Sequence, residues 1–204
     1  MGKKTGRRSA AAGDFEKPLP PLNLVATDVG LNRLFNNGAA SVAFTVNPIG
    51  TVPTSFIVTS SPGSFTGEGS SSPILVQGLQ TNVSYTFTAV AINNNGTSIP
   101  SAASVSKLIT TVPGIPRTPS ATSTVADTDV VSWTAPANDG GKEIASYTVI
   151  SNDPSAQLPA GDGSPGPVYL NAVSPLSISE SGGTSQAYNI YAINANGTSV
   201  PAST

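Results

Sequence analysis

The chain has 204 residues, 38% of them hydrophobic and 10% charged, with 9 basic and 11 acidic side chains and neither histidine nor cysteine. Those absences exclude disulfide staples, His/Cys zinc centres and histidine-based catalytic triads. Ordinary soluble domains are about 25% charged; here Ser, Thr, Asn, Gly and Pro fill the gap, a mixture suited to short strands and many turns.

Residues 1–17 read as an extended basic arm. Lys3, Lys4, Arg7, Arg8 and Lys17 place five of the nine basic residues there, whereas residues 18–204 carry four basic and nine acidic ones, a net of −5 (4 − 9). A secretory signal would continue with about 7–15 apolar residues. "SAAAGDFEKP" follows instead, so no signal peptide is expected, and no stretch is long and apolar enough to span a membrane. Four clustered cations attract phosphate in a salt-sensitive way. No aromatic residue is interleaved among them to stack on bases, and the body is acidic, so nucleic acid is not the expected partner. Lys3, Lys4, Arg7 and Arg8 are expected to anchor the chain on a larger assembly.

A Pro-rich boundary, "KPLPPLNL" (17–24), opens the first unit, 18–112. Its clearest predicted strands are "ASVAFTV" (40–46), "SFIVTS" (55–60), "PILVQGL" (73–79) and "VSYTFTAVAI" (83–92). In the last, Tyr85, Phe87, Ala89 and Ala91 alternate with Thr86, Thr88 and Val90, which marks a half-buried strand. "NNNG" (93–96) turns the chain, since Asn and Gly accept positive φ at low cost, and 97–111 is expected to return as a strand. A second boundary, "VPGIPRTP" (112–119), opens the second unit, 113–204. It carries "DVVSWTA" (129–135), "ASYTVIS" (145–151), "PVYLNA" (167–172) and "AYNIYAI" (187–193), then the turn "NANG" (194–197). Short strands with turn signals between them point to an all-β chain of two antiparallel sandwiches. "AINNNGTSIP" (91–100) and "AINANGTSVP" (192–201) agree at eight of ten positions, at an offset of 101. They mark the same strand end and turn, once per unit.

The stretch "PRTPSATSTVADTDVVSWTAPANDGGKEIASYTVIS" (116–151) resembles the first half of a fibronectin type III domain, with a Trp in the second strand, a "DGG" turn and a third strand opening on "SYTV". "PILVQGLQTNVSYTFTAVAINNNGTSIPSAAS" (73–104) resembles the second half, with Leu79 and then Tyr85 six residues on. The resemblance covers 18–204 and implies two tandem fibronectin type III-like sandwiches behind the arm. It makes Phe44, Tyr85 and Phe87 in the first unit, and Trp133, Tyr147 and Tyr188 in the second, core or corner residues. Two departures stand out. Phe44 takes the place that Trp133 has in the second unit, and Gln186 takes the place of the corner tyrosine. The second unit is therefore expected to lack a corner anchor and to have a looser connection at 179–186. Its last strand, within "TSVPAST", is expected to be short and to leave backbone near Tyr188–Tyr191 for a neighbouring subunit.

No cofactor, metal or catalytic residue is expected. The acids in "DGG", "NDP" and "GDGSPG" are single and scattered, unlike a calcium loop. Asp139 and Glu143 flank a tight turn with no aromatic groove around them, so they read as turn residues and not as a glycosidase pair. Asn82, Asn95 and Asn196 begin Asn-X-Ser/Thr triplets, and turn chemistry explains the last two. The style of "NNGAASVAFTV" and "ANDGGKEIASYTV" resembles the fibronectin-type and Ig-like domains of tailed-bacteriophage particles. That resemblance implies a non-enzymatic virion protein (head decoration, neck or tail), assembled in the host cytoplasm. Its partners would be capsid, neck or tail subunits in multiple copies, with weak contact to host-surface glycans as a secondary role. The alternative is a bacterial cell-surface or secreted binding or spacer module.

Overall fold

The computed structural model describes residues 16–125, 128–152, 168–179 and 186–204; the basic cluster Lys3, Lys4, Arg7 and Arg8 and most of 179–186 lie outside the described residues. The described residues form strands and loops, with no helix. The first sandwich is built from β1 (Leu22–Asp28), β2 (Gly38–Thr45), β3 (Ser55–Ser61), β4 (Thr66–Gly69), β5 (Ile74–Leu79), β6 (Ser84–Asn93), β7 (Gly96–Thr97) and β8 (Lys107–Leu108). The second repeats the plan with β9 (Arg117–Val125), β10 (Thr128–Thr134), β11 (Ser146–Ser151), β12 (Val168–Leu170), β13 (Leu176–Ser179), β14 (Tyr188–Asn194), β15 (Gly197–Thr198) and β16 (Ala202–Ser203).

In the first sandwich a β1-β2-β5 sheet faces a β4-β3-β6-β7 sheet, with β8 also on β6. In the second, β9, β10 and β13 face β12-β11-β14-β15, with β16 on β14. All pairings are antiparallel. Each sandwich thus sets three strands against five, with β7 and β8, or β15 and β16, flanking the same strand in two short pieces, and the fold is two fibronectin type III-like sandwiches in tandem. Period-two alternation decides which side chains meet. Tyr85, Phe87, Ala89 and Ala91 of β6 close on Val42, Phe44, Phe56, Val58, Val76 and Leu79. In the second core Val131, Trp133, Val149, Ile178, Tyr188 and Ile190 come together, with Tyr147 half-buried against Trp133. Each buried side chain of this size contributes about 1.5–3 kcal/mol by leaving water.

Three expectations are corrected. First, 97–111 does not return as a regular strand. Between β7 and β8 only every third residue faces inward: Ser98, Ser101 and Ser104 are buried. Each donates its backbone N–H to a β6 carbonyl (Ala91, Ala89 and Phe87, all 2.9 Å) and accepts the N–H of that same β6 residue on its hydroxyl, at 2.9–3.0 Å. A period of three is that of a polyproline II helix, and Pro100 fits such a segment because it has no N–H to place.

Second, the backbone near Tyr188–Tyr191 has partners within its own sandwich. Tyr188 N–H donates to Thr204 Oγ1 at 3.1 Å and its carbonyl accepts Thr204 N–H at 3.1 Å. Asn189 and Ile190 pair with Ser203 and Ala202. Ala192 exchanges bonds with Ser199 as Ala91 does with Ser98. Seven residues suffice because hydroxyls stand in for missing ladder groups.

Third, the second sandwich has an anchor of its own. In the first, Tyr85 Oη accepts Gln80 N–H at 3.0 Å across the corner. In the second, Tyr188 donates its phenol to the Asp129 carboxylate at 2.9 Å, and Ser123 Oγ and Gln186 N–H donate to the same carboxylate. Asp129 is only 2% exposed, and a buried charge persists only where hydrogen bonds replace its water. The anchoring hydroxyl has moved two residues along the strand.

Tyr188→Phe should therefore destabilise the second sandwich by about 1–3 kcal/mol, the range for a buried polar group left short of a partner. Tyr85→Phe, which removes a neutral bond, should cost about 0.5–1.5 kcal/mol. Urea unfolding of the two variants checks the order.

Candidate functional site at the joint between the sandwiches

The segment between β8 and β9 is a poor flexible linker, because Ile109 to Gly114 are all buried. It runs through a joint built from three loops. The first, residues 29–37 between β1 and β2, is shaped by its own chemistry. Asn32 and Asn36 take positive φ (56° and 64°), where Asn is tolerated better than other non-glycine residues. Asn36 locks the loop to Thr81 in both directions, its N–H donating to Thr81 Oγ1 at 2.9 Å and its Oδ1 accepting Thr81 N–H at 3.2 Å. The loop then offers Arg33 C=O to Val112 N–H at 2.9 Å and Asn32 N–H to Asn196 C=O at 2.7 Å.

The second loop, 138–141, meets the linker from the other side. Asn138 and Asp139 each accept a glycine N–H two residues on (Gly140 at 2.9 Å, Gly141 at 2.8 Å). Gly140 C=O takes Thr111 N–H at 2.8 Å, and Asn138 C=O takes Gly114 N–H at 3.0 Å. Gly140 has φ +82°, and a Cβ there would lie 2.4 Å from Thr111 O and 2.6 Å from Val112 O. One Asp139 carboxylate oxygen thus closes the turn, and Glu143 is exposed.

The third is the "NANG" turn of the repeated decamer. Asn194 Nδ2 donates to Thr111 O at 2.9 Å and to Asp139 O at 2.7 Å. Asn196 Nδ2 donates to Thr111 O at 3.1 Å and to Thr110 Oγ1 at 2.7 Å. Thr110 Oγ1 donates its own O–H to the Asp28 carboxylate, which also accepts Thr110 N–H at 3.2 Å. A polar chain therefore runs from the second sandwich through the linker into the first. Both asparagines are buried, so the amide that a glycosylation triplet would need at Asn196 is committed to the joint.

The decamer does the same work in the first sandwich. Asn93 Nδ2 donates to Glu16 O at 3.2 Å and to Thr51 Oγ1 at 2.9 Å, and Asn95 Nδ2 reaches Glu16 O at 3.4 Å. In both, Asn N–H two residues on closes onto the first Asn Oδ1 at 2.8 Å. Each turn clamps the segment leading into its own sandwich. Sequence reasoning saw these residues only as turn formers. The usable signal was asparagine at both positions in both copies, since a turn alone tolerates Asp, Ser or Gly, which cannot donate two side-chain protons.

The corresponding end of the first sandwich exposes Ile49 (73%), Val52 (84%) and Ile99 (74%), around the point where residues 16–20 arrive. As for the sequence-predicted residues, Phe44, Tyr85, Phe87, Trp133 and Tyr188 lie buried in the two cores, away from both poles' polar chemistry. No described cluster gathers three metal-ligating side chains, and no helix of the described residues is long and apolar enough to cross a membrane.

No protein-family model matches the chain. Among solved structures it is similar to a two-domain fibronectin type III segment of chicken tenascin, at 21% identity over 91% of this chain and 97% of that one, with a TM-score of 0.37. It is also similar to the FN1–FN3 domains of chicken CNTN1, at 16% identity over 92% of this chain and 66% of that one, with a TM-score of 0.45.

The joint makes a clear mutational forecast. Asn194→Ala with Asn196→Ala leaves the Thr111 carbonyl without either donor, at about 1–3 kcal/mol for a buried acceptor. The two sandwiches should then reorient freely, seen as a broadened interdomain distance distribution in small-angle scattering, while each keeps its own cooperative unfolding. Gly140→Ala should do the same by overlap. Gly78→Ala, at φ +75° with nothing nearer than 3.8 Å, should leave the joint intact.

Proposed function

We propose that the chain is a non-enzymatic structural and binding module, two sandwiches acting as one stiff body, and that it serves as an accessory protein of a tailed-bacteriophage particle. The observation that carries the mechanical part is the joint. A buried linker held by side-chain amides resists bending, whereas an exposed Gly/Ser-rich linker would not. A stiff two-domain body sets a fixed distance between what is bound at one end and what is presented at the other.

The particle assignment rests on the sequence resemblance and on where the apolar surface lies. Ile49, Val52 and Ile99 crowd the end from which residues 1–15 depart. At the equivalent end of the second sandwich the linker and the 29–37 loop bond to the "NANG" turn instead. An apolar collar beside a basic arm suits seating on an acidic subunit surface, with the arm supplying charge attraction and the collar supplying desolvation. In this proposal the partners are capsid, neck or tail subunits, the anchor is Lys3, Lys4, Arg7 and Arg8 together with the collar, and the location is the virion.

Deleting residues 1–17 should leave both sandwiches folded and sharply reduce incorporation into particles, measured by mass spectrometry of purified virions. Neutral replacement of the four cations should weaken incorporation less than deletion does. Ile49→Ser with Val52→Ser should reduce it without changing thermal stability, since both side chains are already in water. Full incorporation of the deleted form would refute the anchor; absence of the intact chain from purified particles would favour a bacterial surface or secreted spacer instead.

A further inference from the structure

The two sandwiches differ at one point where their plans otherwise coincide. In the first, Phe44 and Phe56 pack at 4.8 Å between ring centres and Phe56 is 2% exposed. The β3–β4 ladder extends along Phe56 as far as Gly69 and closes over it. In the second, Trp133 and Tyr147 hold the equivalent positions at 5.6 Å. There the β11–β12 ladder stops at Thr148 and Leu170, one residue short of Tyr147. Beyond it the chain bends away through Asn171, at φ 54°, and Ala172 N–H returns to Tyr147 C=O at 3.0 Å. A cavity of about 320 Å³ opens there.

Its chemistry is specific. Trp133, Tyr147, Ile144 and Val173 line it together with the polar residues Ser146 and Asn171. None of the described residues that line it is charged. Ser174, also in the lining, is fully used: its hydroxyl accepts Trp133 N–H at 2.9 Å and donates to Trp133 C=O at 2.8 Å. The Tyr147 phenol, the Asn171 amide and the Ser146 hydroxyl make no hydrogen bond to another described side chain or backbone group. Partial burial raises the Tyr147 phenol above its ordinary range, so it stays a neutral donor and acceptor.

We propose that this cavity in the second sandwich is a binding site for a neutral saccharide. A sugar ring has an apolar C–H face that packs on an aromatic floor and hydroxyls around its edge that meet an amide, a phenol and a hydroxyl. A purely apolar ligand would desolvate those three groups without giving them partners, which is unfavourable; a proline-rich peptide offers them carbonyl acceptors but few donors, whereas sugar hydroxyls offer both. A charged ligand would find no counter-charge. The size falls at the lower end of small-molecule sites, about 300–1,000 Å³, which fits one or two sugar units. This site stands independently of the particle assignment.

The test uses the full chain. Trp133 is the chain's single tryptophan, so its emission reports the cavity directly. The probes are glucose, galactose, mannose, N-acetylglucosamine and their common disaccharides. At least one should shift the emission saturably in the millimolar range, the weak regime of a small ligand in an open site. Asn171→Gly keeps the positive φ and removes the amide, and Tyr147→Phe keeps the ring and removes the hydroxyl. Each should raise the dissociation constant at least about tenfold, with unchanged melting. Failure of every sugar to saturate overturns the proposal. So does saturation that both variants leave unchanged, or saturation by a polyproline peptide in place of the sugars.

Discussion

One backbone carbonyl, that of Thr111, connects most of what is distinctive in this molecule. It accepts two amide protons, from Asn194 and Asn196, which fills both lone pairs of a buried group. The N–H of the same residue is held by Gly140. With its peptide groups satisfied, the linker can lie in the interior, where a loop is normally too costly to bury. Burial of the linker in turn brings the 29–37 loop and the "NANG" turn together. The fixed geometry between the sandwiches follows from these contacts and not from any stiffness of the linker sequence.

The same economy appears along the last strand of each sandwich. Serine hydroxyls, and in one place a threonine, replace ladder groups that an irregular segment cannot offer. Asparagine amides replace them at the poles. This accounts for the composition: a chain so poor in charge and so rich in Ser, Thr and Asn uses those side chains as extensions of the backbone.

The sequence announces strands that alternate and turns that repeat. Tyr85-Thr-Phe-Thr-Ala in β6 and Ser146-Tyr-Thr-Val in β11 are legible because burial on one face imposes a period of two. β1 and β9 were hidden, since "KPLPPLNL" and "VPGIPRTP" read as boundaries. Both strands lie at sheet edges, where proline is tolerated because no inward N–H is required. β4, with its two glycines, carries too little apolar signal to stand out. The joint was illegible for a different reason. Asn194 looks the same whether it only turns the chain or also reaches a residue 83 positions away. Asp129 and Tyr188 are likewise 59 positions apart, and no local pattern links them. The cavity was invisible because Trp133 and Tyr147 read as core. Only the one-residue difference in ladder length separates them from Phe44 and Phe56.

The three-residue period of Ser98, Ser101 and Ser104 also governs how copies of this protein can meet. An open sheet edge invites a strand from another molecule, because its free N–H and C=O groups repeat every second residue. Here the edge repeats every third. The three serine hydroxyls also donate back to the carbonyls of Ile99, Ala102 and Val105, so those acceptors are already occupied. An incoming strand finds neither the register nor the acceptors it needs. Pairing of a further strand along this edge is blocked. This edge therefore cannot join two copies into one continuous sheet.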